Sequence, residues 1–546
     1  MVAAKHGKGA MNRVSEFERG YNQAFEFTLQ CIFAVGRAAA WVWEQTPGQW
    51  EWWWRALLIA AVLFIVPRLL RLVFGRLWDA IRGIPRIFGG ARFASVRELR
   101  RAGLLKPGGR FLGQLRGRDI FMHGEGHCLT IAAQGSGKTT GLIIPTLITY
   151  RTGSVIVTDP KGAITAQTRR LRGEFSQVVV LSPWCDELKG DPNFGLDLGD
   201  NGFNPLQLVD GPGARTAAAT LSGLLLPSAP GAVGNDDYFK QEGRELLEWG
   251  MLYQAAFHAD KPRTLPALHA LIYNSPLLIK EMQKLAVDKS LSGDKVLLRP
   301  GAFKFSGMAA MGAGAQLAGI LGSAATALKV YEDGSLLARH VSKDGFKLAD
   351  IKGEKPMTVY LICPPEHLIS DNRQWLNLTL ALIMQQIGKP GRARETVLLM
   401  DEFPAFKYLP NLLPSLEQFR EAGLRAHLIA QNPGQIIQEY GQDGFRRLMG
   451  AAEYKQFFRI TDPEQARLLS DWLGQTTVRT ENRSAKGETS TGLAGVPLIR
   501  PEELSGMRRD RQILIRPEGR PVRGNVLPFF RRKEWAAQVE ANPYRP

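Results

Sequence analysis

The chain has 546 residues, 45% hydrophobic and 22% charged, which is too long for one compact core and too apolar for extended disorder. Its 69 Lys and Arg against 52 Asp and Glu give a net charge of +17, favouring a polyanion or an anionic membrane face as partner. The four cysteines, Cys31, Cys128, Cys185 and Cys363, lack metal or redox spacing and read as reduced packing thiols.

Taken in order, residues 1–22 are polar and basic, with Lys5, Lys8, Arg13 and Arg19. Residues 23–75 read as a transmembrane helical hairpin. A first apolar stretch, Ala24 to Trp43, is interrupted by Glu26, Gln30 and Arg37; a second, Trp52 to Phe74, contains the uncharged run Ala56 to Val66. That run alone is shorter than the ~20 residues a bilayer core requires, and Arg55, Arg68 and Arg71 can snorkel at its ends. Trp41, Trp43, Trp50, Trp52, Trp53 and Trp54 form an aromatic belt around a Pro47-Gly48 turn. Positive charge before the first stretch and after the second puts both ends and the main body on the cytoplasmic side of an inner membrane and the Trp-rich turn outside. A single span followed by an interfacial helix is the other reading of the same residues. The apolar stretch comes too late for a cleaved signal and lacks a small-residue cleavage site. From Arg68 to Arg118 there are 13 Lys or Arg against Asp79 and Glu98, so residues 76–120 read as a basic linker.

Beyond the linker, buried apolar runs alternate with helical segments. The runs are Leu129–Ala132, Ser154–Thr158, Val178–Leu181, Thr358–Cys363, Val397–Met400, Ala426–Ala430, Gln456–Ile460 and Gln512–Ile515. Continuous Val/Ile/Leu runs with helical crossovers predict an α/β fold with a mainly parallel sheet covered on both faces. Ligands of such sheets bind at the carboxyl ends of the strands. After Leu129–Ala132 comes the cradle Gln134, Gly135, Ser136, Gly137, Lys138, Thr139 and Thr140, a phosphate-binding loop opening onto a helix, although Ala132 stands where the full pattern begins with Gly. Lys138 is expected on the β- and γ-phosphates of ATP and Thr139 on Mg²⁺. After Val397–Met400 come Asp401, expected to hold Mg²⁺ through water, and Glu402, expected to orient and deprotonate the attacking water. Gln431, after Ala426–Ala430, reads either as a γ-phosphate sensor or as a loop amide. Arg420 reads as an arginine finger for a neighbouring subunit or as a solvated arginine, on the helix before that strand.

The nucleotide-binding domain is expected in two parts, residues 121–205 and 351–530, followed by a C-terminal tail at 531–546. Between the parts, residues 206–350 read as an inserted, mostly helical domain, with helices over Asp237–Ala256, Leu265–Leu285 and Phe303–Ala327. The polar stretch Arg479 to Thr491 reads as a flexible loop. Base-reading signatures are missing from the sequence, which argues against specific DNA recognition.

The order of these motifs resembles the coupling proteins of type IV secretion, the membrane-anchored ATPases of bacterial conjugation. The resemblance is carried by Gly90-Ala-Arg-Phe-Ala94, Gly135-Ser-Gly-Lys138 with Ile144-Pro-Thr-Leu147, Ser154 to Gly162, Phe203-Asn-Pro-Leu206, Thr358-Val-Tyr-Leu361, Leu399 to Pro404, Gln431, Tyr440-Gly441 and Pro501-Glu-Glu-Leu504. It departs from the family's pattern at Ala163, where a Glu is usual, and in the very short turn between the two apolar stretches. It implies RecA-like P-loop NTPase motor domains in a homohexamer, with a helical domain at the cytoplasmic entrance. It further implies recruitment of single-stranded DNA with a bound relaxase, contact with other secretion-system components, and DNA-stimulated ATP hydrolysis. Under it, Arg420 gains weight as the finger. An FtsK-type translocase and a docking receptor with little hydrolysis are the rival readings; the first expects more spans and a DNA-reading C-terminal module.

Overall fold

Each apolar run read from the sequence becomes a strand, and the sheet they build is larger than those runs alone. The computed structural model describes residues 37, 87–190, 195–227, 234–258, 262–391, 394–483 and 489–544. The hairpin read at 23–75, Arg37 apart, and the segment 1–22 lie outside the described residues; no described helix is long and apolar enough to cross a membrane.

In chain order the strands are β1 (Arg110–Leu115), β2 (Arg118–Met122), β3 (His127–Ala132), β4 (Ser154–Thr158), β5 (Gln177–Leu181), β6 (Met357–Leu361), β7 (Thr396–Met400), β8 (Leu424–Ala430), β9 (Ala452–Phe458), β10 (Gln475–Arg483), β11 (Thr489–Pro497), β12 (Arg511–Ile515) and β13 (Val522–Asn525). Eleven of them form one sheet in the order β2-β1-β13-β12-β9-β3-β8-β7-β4-β6-β5. From β9 to β5 neighbouring strands run parallel; β12, β13, β1 and β2 extend the sheet antiparallel. Every residue of β3, β4, β6, β7 and β8 is buried, as expected for parallel strands with both faces covered. Cys128 and Cys363 lie in this interior, and burial pushes the Cys128 thiol up to about 12, leaving it a packing group.

Two stretches differ from the sequence reading. The segment read as a basic linker, 76–120, carries the helix Val96–Arg101 and most of the β1–β2 hairpin, which joins the sheet. Its turn is Arg116-Gly117, with φ of +50° and +75°, a pair of left-handed residues that matches strand twist in a two-residue hairpin. A buried arginine disguised β1: Arg110 is 0% exposed and donates from Nη2 to the Gly126 carbonyl at 2.7 Å. The polar stretch Arg479–Thr491, read as a flexible loop and described except at residues 484–488, supplies the end of β10 and the start of β11, which pair as a two-stranded ribbon. Its threonines, Thr476, Thr477, Thr480, Thr489 and Thr491, suit extended backbone despite their polarity.

The chain divides into two compact units, one of Phe88–Thr476 with Gly495–Pro546, the other of Met1–Ile87 with Thr477–Ala494. Within the first, residues 206–350 contain helices and no strand among the described residues. The long helix Asn235–Phe257 packs against helices Ala214–Leu225, Leu265–Tyr273 and Gly314–Leu328. Small residues permit that closeness: a Cβ on Gly319 would lie 2.7 Å from the Phe239 ring, and one on Gly301 2.8 Å from Trp249. Two helices read as continuous are broken. Asn274 ends one helix and caps the next, Ser275–Val287, and Gly312, at φ +77°, separates Arg299–Ala310 from Gly314–Leu328.

Candidate nucleotide site at the carboxyl edge of the sheet

β3 delivers the Gln134–Thr140 loop to the carboxyl edge. Gly135 and Gly137 adopt φ of +69° and +82°, turns that an L side chain would strain. The loop closes through Ser136 N–H to the Ala133 carbonyl at 3.2 Å and Gly141 N–H to the Gly137 carbonyl at 2.7 Å. Thr140 Oγ1 donates to the Gly137 carbonyl at 3.4 Å. A π-turn, Thr139–Ile143, then runs into the helix Ile144–Thr149, so the loop leads into the amino end of a helical stretch, as at other anion-binding helix starts.

Two strands away, β7 ends in Asp401 and Glu402. Lys138 Nζ lies 3.8 Å from Asp401 Oδ1 and 3.7 Å from Glu402 Oε2, which draws loop and acids into one site. Burial pushes the Asp401 carboxyl above its ordinary range; Lys138 opposes this, Glu402 adds to it, and the Thr139 hydroxyl opposes it again. Glu402 sits at φ +56° and ψ +45°, a left-handed conformation costing a non-glycine residue of order 1–2 kcal/mol. Such strain persists where packing enforces it, and the buried Phe403 and Phe406 of the next turn do so.

β8, between β3 and β7, ends at Ala430 and is followed by Gln431, whose Nε2 donates to Glu402 Oε1. The next residue, Asn432, caps the helix Pro433–Ala451 by accepting from Gln435 N–H at 2.9 Å, which fixes the backbone beside Gln431. Arg420 does not join this group. The helix expected to carry it ends at Gln418, and Arg420 stands in the turn before β8, at the amino end of the strand, paired with Glu453. The sequence reading had placed it on the helix before that strand.

Two further residues stand at the site: Asp159, which the sequence reading put just after a strand without giving it a role, and Arg459, which it passed over. Asp159, just after β4, is 2% exposed and accepts from the Thr165 N–H at 2.7 Å and its hydroxyl at 2.8 Å. Burial, opposed by those bonds and reinforced by Asp401, pushes its carboxyl up to about 6. Arg459 was read as part of a strand Gln456–Ile460, but β9 ends at Phe458 and leaves it at the carboxyl edge beside the loop. A positively charged residue between two apolar ones at a strand end was the available signal.

The residues fit a magnesium nucleotide. The glycine turns leave room for phosphate, a lysine faces two acids, and two buried oxygens aimed into this region, Asp401 Oδ1 and Ser136 Oγ, lack a hydrogen-bond partner. Fold and site together define a phosphate-loop NTPase architecture of the RecA-like kind.

Residues 92–544 match the family model described as Type IV secretory system Conjugative DNA transfer, and the chain belongs to that family. It is 25% identical over 439 residues to the type IV secretion system-coupling protein VirD4 of Bartonella henselae, covering 78% of this chain and 66% of that one. It is 24% identical over 445 residues to the conjugal transfer protein TraG of Rhizobium radiobacter, covering 78% and 65%. The chain therefore spans just under two thirds of the length of these relatives. Among solved structures, the unbound conjugative coupling protein TrwBdeltaN70 matches at a TM-score of 0.59 and 15% identity over 84% of this chain and 96% of that one. The coupling protein TrwB in complex with ADP and Mg²⁺ matches at 0.52 and 16% identity over 81% and 95%. These structural matches establish the shared fold.

Proposed function

We propose that this protein is the membrane-anchored ATPase of a type IV secretion or conjugation apparatus, recruiting relaxase-bound single-stranded DNA and driving its transfer by ATP hydrolysis. The observation that carries the reading is Lys138 held within 4 Å of both Asp401 and Glu402, with Gln431 on Glu402. Relatives named as coupling proteins, and TrwB bound to ADP and Mg²⁺, support it.

In this reading the Gln134–Thr140 loop wraps the phosphates with backbone N–H groups, and Lys138 leaves the acids for the β- and γ-phosphates. Thr139 and Asp401 would hold Mg²⁺, which when bound neutralises charge on the β- and γ-oxygens. Glu402, released from Lys138, takes the proton of the attacking water, while Gln431 orients that water from Glu402's other side. The amino-end position of Arg420 suits donation to a neighbouring subunit of a homohexamer, since it lies away from its own chain's loop. The hairpin at residues 23–75 holds the motor at the inner membrane with its body in the cytoplasm. Phosphate contacts along basic loops move the strand without reading bases and weaken with salt.

The test is ATP hydrolysis by the detergent-solubilised full chain with and without single-stranded DNA, beside Lys138→Ala and Glu402→Gln. Hydrolysis should rise with DNA and vanish in both variants. Equal rates in wild type and Lys138→Ala would reject the motor; tight ATP binding without turnover in wild type would favour a docking receptor.

A further inference from the structure

Arg459 is built into the phosphate loop from the side opposite the acids. It follows β9 directly and adopts φ +43°, a left-handed conformation uncommon for a non-glycine residue. Its neighbours Phe458 and Ile460 are each 1% exposed, so the chain is pinned on both sides while the left-handed step redirects the residue between them. The redirected guanidinium reaches the loop. Nη1 donates to the Gln134 carbonyl at 2.7 Å, and a Cβ on Gly135 would meet that same Nη1 at 3.1 Å. Two independent contacts therefore put the guanidinium over the first two residues of the cradle.

The sheet order fixes what it faces. Asp401 and Glu402 leave β7, two strands to one side of β3; Arg459 leaves β9, the neighbour on the other side. Lys138 and the acids mark where the γ-phosphate reacts. A nucleotide laid along the loop with its γ end there directs its α-phosphate and nucleoside toward β9. A guanidinium has five N–H donors in a rigid fork, and one of them serves Gln134, leaving others for phosphate oxygens.

Building on the nucleotide site proposed above, we propose that Arg459 is a nucleotide-binding residue acting within its own chain, contacting the α-phosphate and holding Gln134 and Gly135 in the shape that receives it. The contact is remote from the reacting bond and equally available in ground and transition states. It therefore sets affinity for ATP and ADP alike and leaves the chemical step alone.

The experiment measures ATP and ADP dissociation constants, and steady-state kcat and KM, for the full-length protein and for Arg459→Ala, Arg459→Lys and Arg459→Gln, with Lys138→Ala as control. Arg459→Ala should weaken both nucleotides about tenfold, equivalent to ~1.4 kcal/mol, raise KM in step and leave kcat within about twofold. Arg459→Lys should recover part of the loss by keeping the charge without the fork. Unchanged dissociation constants in Arg459→Ala, or a fall in kcat at unchanged affinity, would overturn the assignment. So would full recovery in Arg459→Gln, which can still donate to the Gln134 carbonyl but carries no charge. If Lys138→Ala loses nucleotide and Arg459→Ala does not, this assignment fails alone; if the wild type binds neither nucleotide, the underlying site reading fails with it.

Discussion

Two buried histidines make the fold sensitive to acid in a way that can be worked out residue by residue. His127 Nε2 donates to the Leu416 carbonyl at 2.8 Å while its Nδ1 accepts from Ala426 N–H at 2.9 Å, so both nitrogens are committed to the neutral ring. His427 lies beside Thr130, which donates its only hydroxyl hydrogen to Gln456 Oε1 at 3.0 Å; the 2.9 Å contact must then be His427 Nε2–H donating to Thr130. That leaves His427 Nδ1 as a buried lone pair without a partner. Desolvation, followed for His127 by its Leu416 bond opposing it, holds the two rings down to about 4 and about 3. Both folded values lie below the ordinary ~6.5, so the unfolded chain takes up protons first. The stability these rings contribute is complete above that ordinary value and is lost as pH falls toward the folded values. At about pH 5 each ring costs 1.5 units at ~1.36 kcal/mol per unit, or ~2 kcal/mol. Asp159 works the other way: raised to about 6, it keeps its proton in the folded state and returns ~1.4 kcal/mol at about pH 5. The raw pH curve therefore understates the histidine term, and a comparison with His427→Gln isolates it. In urea unfolding of the full chain followed by far-UV circular dichroism, the variant should be less stable at about pH 7.5. That gap should narrow by ~2 kcal/mol at about pH 5. A gap constant to within ~0.5 kcal/mol would show that His427 does not couple folding to pH in this range.

Mixed assemblies test Arg420: Arg420→Ala and Glu402→Gln chains, each inactive alone, should regain ATPase activity when combined, because some interfaces then join an intact finger to an intact acid. Absence of recovery in stable mixed assemblies would remove Arg420 from that role. Asn432→Ala removes the cap on Gln435 N–H and should cost about 1 kcal/mol in unfolding free energy. It should also lower kcat by loosening the backbone that holds Gln431 on Glu402; a stability loss with unchanged kcat would show that Gln431 is held by other contacts.

What the sequence made legible follows from local chemistry. β3, β4, β6, β7 and β8 are apolar throughout because both sheet faces are covered, so their runs and the polar residues just beyond them could be read directly. Lys138, Asp401, Glu402 and Gln431 stand at those strand ends, and the structure brings these four together. β1 was hidden because its burial includes Arg110, whose charge reads as surface and whose hydrogen bonds to carbonyls are nonlocal. β13, Val522-Arg-Gly-Asn525, has one apolar side chain, so no apolar run marks it, although it pairs with both β12 and β1. Arg459 escaped for a related reason. Its role depends on a strand ending one residue earlier than its apolar neighbours suggest, and on a backbone turn that residue identity does not encode.

Whether Lys138, Asp401 and Glu402 form one site that binds and cleaves a nucleoside triphosphate is decided by single-turnover phosphate release from ATP, measured with equilibrium ATP binding on the same full-length samples. Lys138→Ala should lose binding, whereas Glu402→Gln should bind ATP as wild type does and release phosphate at least ~10²-fold more slowly. Phosphate release by Glu402→Gln at the wild-type rate would exclude Glu402 as the group that activates the attacking water.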